Sequence, residues 1–309
     1  MTLPRHWPVL CILMTLPLLL SCAPEDNTSS SVDVPGTASP AEPARMPAAD
    51  INLRLYVIDC GYMDMREWTD FETFYGMRKD QVELAAQANP CFLVVHDKGT
   101  LVWDAGFSDS TSATPTIDEH GVTVKMPHKL KAQLQDAGHP VETIDVFAIS
   151  HLHFDHLGNL PYFSNAKILI QQSEIDAAFS ERNRNNPGYK REYITPLLEF
   201  PGLLPLQGDY DVFGDGSVLL IPAPGHTPGS QIMLISLKEY GPVLISGDAL
   251  HFSEELKLRI TPLFHESPEQ ANKTIDTIQS YASELGAELW IQHDPIQDLQ
   301  RRKSPEYYD

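Results

Sequence analysis

The chain has 309 residues, 42 of them acidic and 22 basic, which leaves a formal net charge of −20. Hydrophobic residues at 42% and charged residues at 21% are ordinary for a folded protein with a real core, so wholesale disorder is excluded. The acid excess argues against a nucleic-acid partner, which would need a basic footprint, and favours neutral or weakly charged substrates.

The N-terminus reads as a leader. Arg5 and His6 form a short basic region, and 9–20 is an apolar run of 12 residues. A membrane span needs about 20 apolar residues, so 1–21 is read as a secretory signal peptide and not as part of the fold. The stretch Leu19-Leu20-Ser21-Cys22 resembles the lipobox of bacterial lipoproteins. That resemblance implies cleavage before Cys22, a lipid on its thiol, and an exported protein anchored to a membrane on the periplasmic or outer-membrane side. Ala23 in place of Asp points to outer-membrane sorting. An ordinary signal peptide with an unrelated cysteine is the alternative. Residues 22–50 carry Pro24, Pro35, Pro40, Pro43 and Pro47 among Ser, Ala and Thr, without apolar periodicity. They read as a flexible tether spanning roughly 30 Å.

Residues 51–309 are expected to form one domain of short apolar strands broken by turns, with helices interspersed. The first strand is placed at 53–59. Residues 62–77 then hold Tyr62, Met63, Met65, Trp68, Phe71, Phe74, Tyr75 and Met77, in a spacing that fits neither a clean strand nor a clean helix. Met65, Trp68, Phe71 and Phe74 are candidates for the wall of a pocket taking an acyl chain. Ordinary packing under the fold is the alternative. Strands at 91–95 and 100–103 flank Asp97-Lys98-Gly99, a hairpin signature. Four cysteines are too few for a disulfide scaffold. Cys60 and Cys91 either pair, as an exported protein allows, or stay as two buried thiols.

Further strands are expected at 143–150, 166–171, 217–221, 231–236, 242–246 and 288–292. Helices fit 127–137, closed by Gly138, and 174–179, opened by Ser173. The clearest helix is 268–285, with Ser267 as cap, Pro268 in the first turn, Gln270 completing a capping box and Gly286 as stop. Its stripe of Ala271, Ile275, Ile278, Ala282 and Leu285 reads as core packing alone. The insertion 181–204 reads as a lid or homodimer contact, and its Arg182, Arg184, Lys190 and Arg191 as solvated charge.

The chemistry concentrates in His151-Leu152-His153-Phe154-Asp155-His156, directly after an apolar strand. Imidazoles and a carboxylate this dense suit Zn²⁺, Fe²⁺ or Mn²⁺, and four ligands in six residues imply two metal ions rather than one. One hexapeptide cannot fill two coordination spheres. His226 in Pro224-Gly225-His226-Thr227-Pro228-Gly229, Asp248 in Ser246-Gly247-Asp248 and His293 in Gln292-His293-Asp294 supply the rest, each placed just past an apolar strand. His96, His120, His128, His139 and His265 lack such a context and are read as surface or packing residues. No Gly-x-Ser-x-Gly elbow offers a serine nucleophile.

These motifs, in this order, resemble the metallo-β-lactamase superfamily across nearly all of 51–295. The resemblance implies an α+β fold, a four-layer αββα sandwich with a dinuclear site on one edge. Carried over by motif, His151, His153 and His226 hold one ion, Asp155, His156 and His293 the other, and Asp248 bridges both. Asp104, in Val102-Trp103-Asp104-Ala105-Gly106, matches a residue that supports a ligand from behind. A bridging Asp beside a complete histidine set speaks against true class B β-lactamases. Within the superfamily the sequence is most similar to N-acyl-homoserine lactonase-like hydrolases. That implies two divalent ions, zinc first with iron, manganese or cobalt as alternatives, and a bridging hydroxide that attacks a lactone or ester carbonyl, with Asp155 moving the proton. Lactonases place a Tyr three residues after the bridging Asp. Here that residue is His251, either a substrate contact or a packing residue. Aryl esters, phosphotriesters and thioesters are the alternative substrates. A binding module without activity is disfavoured because every ligand is retained.

Overall fold

The computed structural model describes residues 51–111, 116–117 and 121–309. The proposed leader, Cys22, the tether and His120 lie outside the described residues. One sheet contains β1 (Leu53–Asp64), β2 (Ala86–His96), β3 (Gly99–Trp103), β4 (Thr116–Ile117), β5 (Thr123–Lys125), β6 (Val146–Ala148), β7 (Lys167–Gln171) and β8 (Leu203–Leu206), in the order β4-β5-β1-β2-β3-β6-β7-β8. The other contains β9 (Tyr210–Asp211), β10 (Val218–Pro222), β11 (Gln231–Leu237), β12 (Gly241–Ile245) and β13 (Glu288–Trp290), in the order β13-β12-β11-β10-β9. The helices are α1 (Phe71–Tyr75), α2 (Leu130–Asp136), α3 (Gln172–Ala178), α4 (Arg191–Ile194), α5 (Ser253–Leu258), α6 (Pro268–Leu285) and α7 (Pro295–Gln300).

The layering follows from the two-residue period of the strands. Leu55 and Val57 of β1 and Phe92 and Val94 of β2 share an inner core with Val218, Leu220, Met233, Ile235, Val243 and Ile245 of the second sheet. The alternate residues Tyr56, Ile58, Cys91 and Leu93 face an outer core with Leu130 and Leu134 of α2 and Ile175 of α3. Ile232 and Leu234 of β11 turn the other way, toward Ile278 of α6. Three apolar layers therefore separate helix, sheet, sheet and helix, the αββα sandwich of an α+β protein.

Several elements differ in extent from the sequence reading. The strand expected at 143–150 shrinks to Val146–Ala148, because Val141–Thr143 winds into a 3-10 turn first. Helix α3 begins at Gln172, straight after β7, and not behind a Ser173 cap. Helix α6 runs over the expected residues, and the Ser267 hydroxyl accepts from the Gln270 amide. Its buried face, however, is Ala271, Thr274 and Ile278. The helix is rotated because it leans on the turn that carries His226: Thr274 Oγ1 donates to Pro224 O at 2.6 Å. Ile278 and Leu285 of the expected stripe pack into the core, and the polar contact comes from Thr274 beside it. A Cβ on Gly225 would come within 2.4 Å of the Ala271 Cα, so this contact requires glycine. Cys60 and Cys91 form a disulfide between β1 and β2.

Strand direction gathers the ligands. β3, β6 and β7 run parallel, as do β12 and β13, and β10 is antiparallel to β11, which is antiparallel to β12. The carboxyl ends of β3, β6, β10, β12 and β13, which precede Asp104, His151, His226, Asp248 and His293, consequently meet along one edge of the sandwich.

Candidate metal centre

The edge holds two groups of ligand atoms. In the first, His226 Nε2 lies 3.1 Å from His151 Nε2 and 3.0 Å from His153 Nδ1. In the second, His156 and His293 aim their Nε2 atoms at Asp248 Oδ1, at 3.2 and 3.0 Å, and Asp155 Oδ2 stands 3.7 Å from His156 Nε2. Asp248 joins the two groups. Its Oδ2 faces the first, 3.4 Å from His226 Nε2 and 3.7 Å from His151 Nε2, while its Oδ1 faces the second.

The outer nitrogens of His156 and His293 are held from behind. Asp104 Oδ2 meets His156 Nδ1 at 2.8 Å and accepts from Gln292 Nε2 at 2.8 Å, while its Oδ1 accepts from the Ser150 amide. Gln292 in turn accepts from Trp103 Nε1. His293 Nδ1 donates to Ala88 O at 2.7 Å, which leaves Nε2 as the free lone pair. Asp104 has a φ of +58°, a left-handed backbone that costs about 1 kcal/mol or more in a non-glycine residue and turns its carboxylate back under the site.

The electrostatics fit a cation pair. Burial pushes His151 and His226 well below the ordinary imidazole value and His153 down to about 4, so these rings carry a free lone pair at neutral pH. Burial also works against the proton on His156, but the carboxylates of Asp248, Asp155 and Asp104 outweigh it and hold the pKa well above normal. Burial opposes ionisation of Asp248 too, yet His293, His156 and His151 keep it well below the usual carboxylate range. His156 Nε2, His293 Nε2 and Asp248 Oδ1 are buried without a hydrogen-bond partner among the described residues. Tetrahedral zinc with 2.0–2.1 Å bonds sets its ligand atoms about 3.3 Å apart, close to the spacing seen. A shared proton satisfies one pair of facing nitrogens, whereas a cation satisfies all of them. The residues present therefore fit two metal ions, one at His151, His153 and His226, one at Asp155, His156 and His293, with Asp248 between.

The family model of the metallo-beta-lactamase superfamily matches residues 86–284. The chain belongs to the metallo-beta-lactamase superfamily. The match encloses every ligand except His293, which follows it in the strand-end position of β13. Among similar proteins, the N-acyl homoserine lactonase AttM of Azorhizobium caulinodans is 28% identical over 228 residues, 71% of this chain and 87% of that one. An N-acyl homoserine lactonase of a Bacillus species is 30% identical over 224 residues, 70% and 85% of the two chains. A solved structure of a quorum-quenching N-acyl homoserine lactone hydrolase superposes with a TM-score of 0.68 at 25% identity, covering 82% of this chain and 97% of that one. The protein is a metal-dependent hydrolase.

In this superfamily member a cavity of about 470 Å³ opens over the centre. Its polar lining includes His153, Asp155, His226, Asp248 and His251, and its apolar lining Met65, Trp68, Phe74, Phe154 and Phe264. Phe71 corrects one expectation. It does not line the cavity but is fully buried behind it, packed with Met65, Tyr75 and Phe252 in a small separate core. The apolar segment 62–77 thus does both jobs that were open for it, its end at β1 and the short helix α1 turning one side to the cavity and the other to that core. His251 Nε2 lies 3.4 Å from Asp248 Oδ2, and Glu255 faces its Nδ1 at 3.6 Å. Burial opposes its proton, but Asp248 and Glu255 raise the pKa to about 9. Asn186 to Gly188 of the 181–204 segment also line the cavity. Two of its four cations are more than solvated charge, since Lys190 lies over the Phe154 ring and Arg191 over Phe179.

The discounted histidines divide. His96 stacks on Phe213 and pairs with Asp215, away from the centre. His265 takes the packing role: it is buried against His226 and His251, with its ring centroid 5.0 Å from that of His226. No local signal marks it, because it reaches the site only through the docking of α6. Glu174 and Gln292 were also missed as supports, although both follow apolar strands, as the ligands do.

Proposed function

We propose that this chain opens N-acyl-homoserine lactones, using two divalent metal ions, most fittingly zinc. The observation that carries the reading is Asp248, with one oxygen in each ligand group beneath an apolar cavity. The lactonase relatives support the substrate class. When bound, such ions polarise a carbonyl and lower the pKa of water toward neutrality. The protein's own residues do the rest. Asp155 lines the cavity beside the centre and serves as the proton carrier between the attacking water and the leaving alkoxide. His251 lines the cavity beside the centre and offers a ring N–H as a hydrogen-bond donor to the substrate's ester oxygens. Met65, Trp68, Phe74, Phe154 and Phe264 exclude water and receive the acyl chain.

The deciding experiment is metal analysis of the purified protein combined with hydrolysis assays before and after chelation. Two ions per chain, loss of lactone opening on chelation and recovery on adding zinc are expected; turnover that survives complete metal removal sinks the reading. An aryl ester, a thioester and an organophosphate belong in the same assay. Trp68→Ala and Phe74→Ala should each weaken kcat/KM for a ten-carbon acyl lactone by roughly tenfold, from about 0.8 kcal/mol per buried methylene, and leave a four-carbon one nearly unchanged. Equal losses at both lengths would remove the acyl assignment.

The same proposal places the enzyme outside the cytoplasm, with 1–21 as leader, Cys22 lipidated, 22–50 as tether and 51–309 as the hydrolase domain. The Cys60–Cys91 disulfide supports an oxidising compartment. The outward side of 181–204, where Leu198 is half exposed, is the proposed homodimer contact.

A further inference from the structure

Glu174, in the first turn of α3, is fully buried, yet it is neither a ligand nor part of the cavity lining. Four donors converge on its carboxylate from three separate segments. Oε1 accepts from the Leu152 amide at 2.9 Å, between His151 and His153, and from the Tyr189 hydroxyl at 3.1 Å. Oε2 accepts from Thr227 Oγ1 at 2.6 Å and the Gly229 amide at 3.0 Å, on the turn that carries His226. The close approach of that turn is built in, since a Cβ on Gly229 would sit 2.1 Å from the Glu174 nitrogen. Tyr189 directly follows the wall residues Asn186, Pro187 and Gly188 and packs edge-on against His153, with ring centroids 4.9 Å apart. The wall is seated further by the Phe154 amide, which donates to Gly188 O at 3.0 Å.

A buried carboxylate is costly unless its lone pairs are satisfied, so a site that keeps one places donors around it at fixed angles. Burial pushes the Glu174 pKa up, and the four hydrogen bonds act against that shift. We propose that Glu174 is the positioning residue that holds His151, His153 and His226 in register as one metal site and fastens the cavity wall to the same point. The inference rests on reading these histidines as a metal site, and not on which bond is cleaved.

Glu174→Gln tests it. The amide replaces one acceptor oxygen with a donor, so one pair of N–H or O–H groups is left facing hydrogen. The readouts are metal content after dialysis against a competing chelator and the visible spectrum of the cobalt-loaded protein. The variant should bind the ion at His151, His153 and His226 roughly 10–100-fold more weakly and keep the other ion, as is typical for partners that orient a ligand. Thr227→Val, a milder change that removes one donor, should weaken the same ion by a smaller factor. Both ions at wild-type affinity with an unchanged cobalt spectrum would overturn the proposal, and so would equal loss of both ions, which marks a general structural role. A wild type that loads two ions but opens no lactone or ester defeats the functional reading and leaves the role of Glu174 standing.

Discussion

Asp248→Asn should lower kcat/KM by more than the roughly 100-fold upper range seen for residues that merely orient a metal ligand. The side chain is buried, and each of its oxygens faces a different ligand group, Oδ1 toward His156 and His293 and Oδ2 toward His226 and His151. Asparagine keeps the shape but has one oxygen. Whichever way the amide is turned, one group loses its anionic ligand and meets an N–H that cannot bind a cation. A negative charge is also removed from a site proposed to hold two dications. Metal content should fall from two ions toward one per chain while the far-ultraviolet circular dichroism stays unchanged. A variant that retains two ions and wild-type turnover would show that Asp248 does not bridge.

Removing the Cys60–Cys91 disulfide should destabilise the fold by about 3–4 kcal/mol. The bridge closes a separation of 31 residues, and the chain-entropy model gives that magnitude for a loop of this length. The melting temperature of Cys60→Ala/Cys91→Ala should drop by roughly 10 °C, given about 2–4 °C per kcal/mol in a domain of this size. Both cysteines are fully buried in the core between the first sheet and α2. Cys60 also abuts the turn after Asp104: a Cβ on Gly106 would lie 2.2 Å from the Cys60 Cβ. Loosening this corner should therefore reach the support of His156 as well as global stability. The test is thermal unfolding of wild type and double variant, each with and without reductant. Identical melting of the two proteins in the absence of reductant would refute the assigned contribution.

The contrast between Phe71 and Trp68 shows where reading by residue type stops. Both are aromatic residues of one short segment, and their composition alone marks that segment as a wall or a core. Which side each ring takes depends on Phe252 and Phe264, nearly two hundred residues later in the chain, packing against them. Helix α6 teaches the same lesson. Its cap at Ser267 and stop at Gly286 are local chemistry and legible, but its rotation is set by the contact with Gly225 and Pro224.

By itself the sequence determined the alternation of apolar residues that makes the strands, and the placement of His151, His153, Asp155, His156, His226, Asp248 and His293 just beyond strand ends. Those features are local, because side-chain period and turn chemistry act over a few neighbouring residues. Only the tertiary structure decided that Cys60 pairs with Cys91, that Asp248 divides its oxygens between two histidine groups, that His265 lies against His226, and that Glu174 ties three loops together. Each of these depends on strand direction and register between segments far apart in the chain. The Trp103–Gln292–Asp104 chain behind His156 spans a separation of 189 residues, and no local pattern encodes a contact made only when two sheets close on one another.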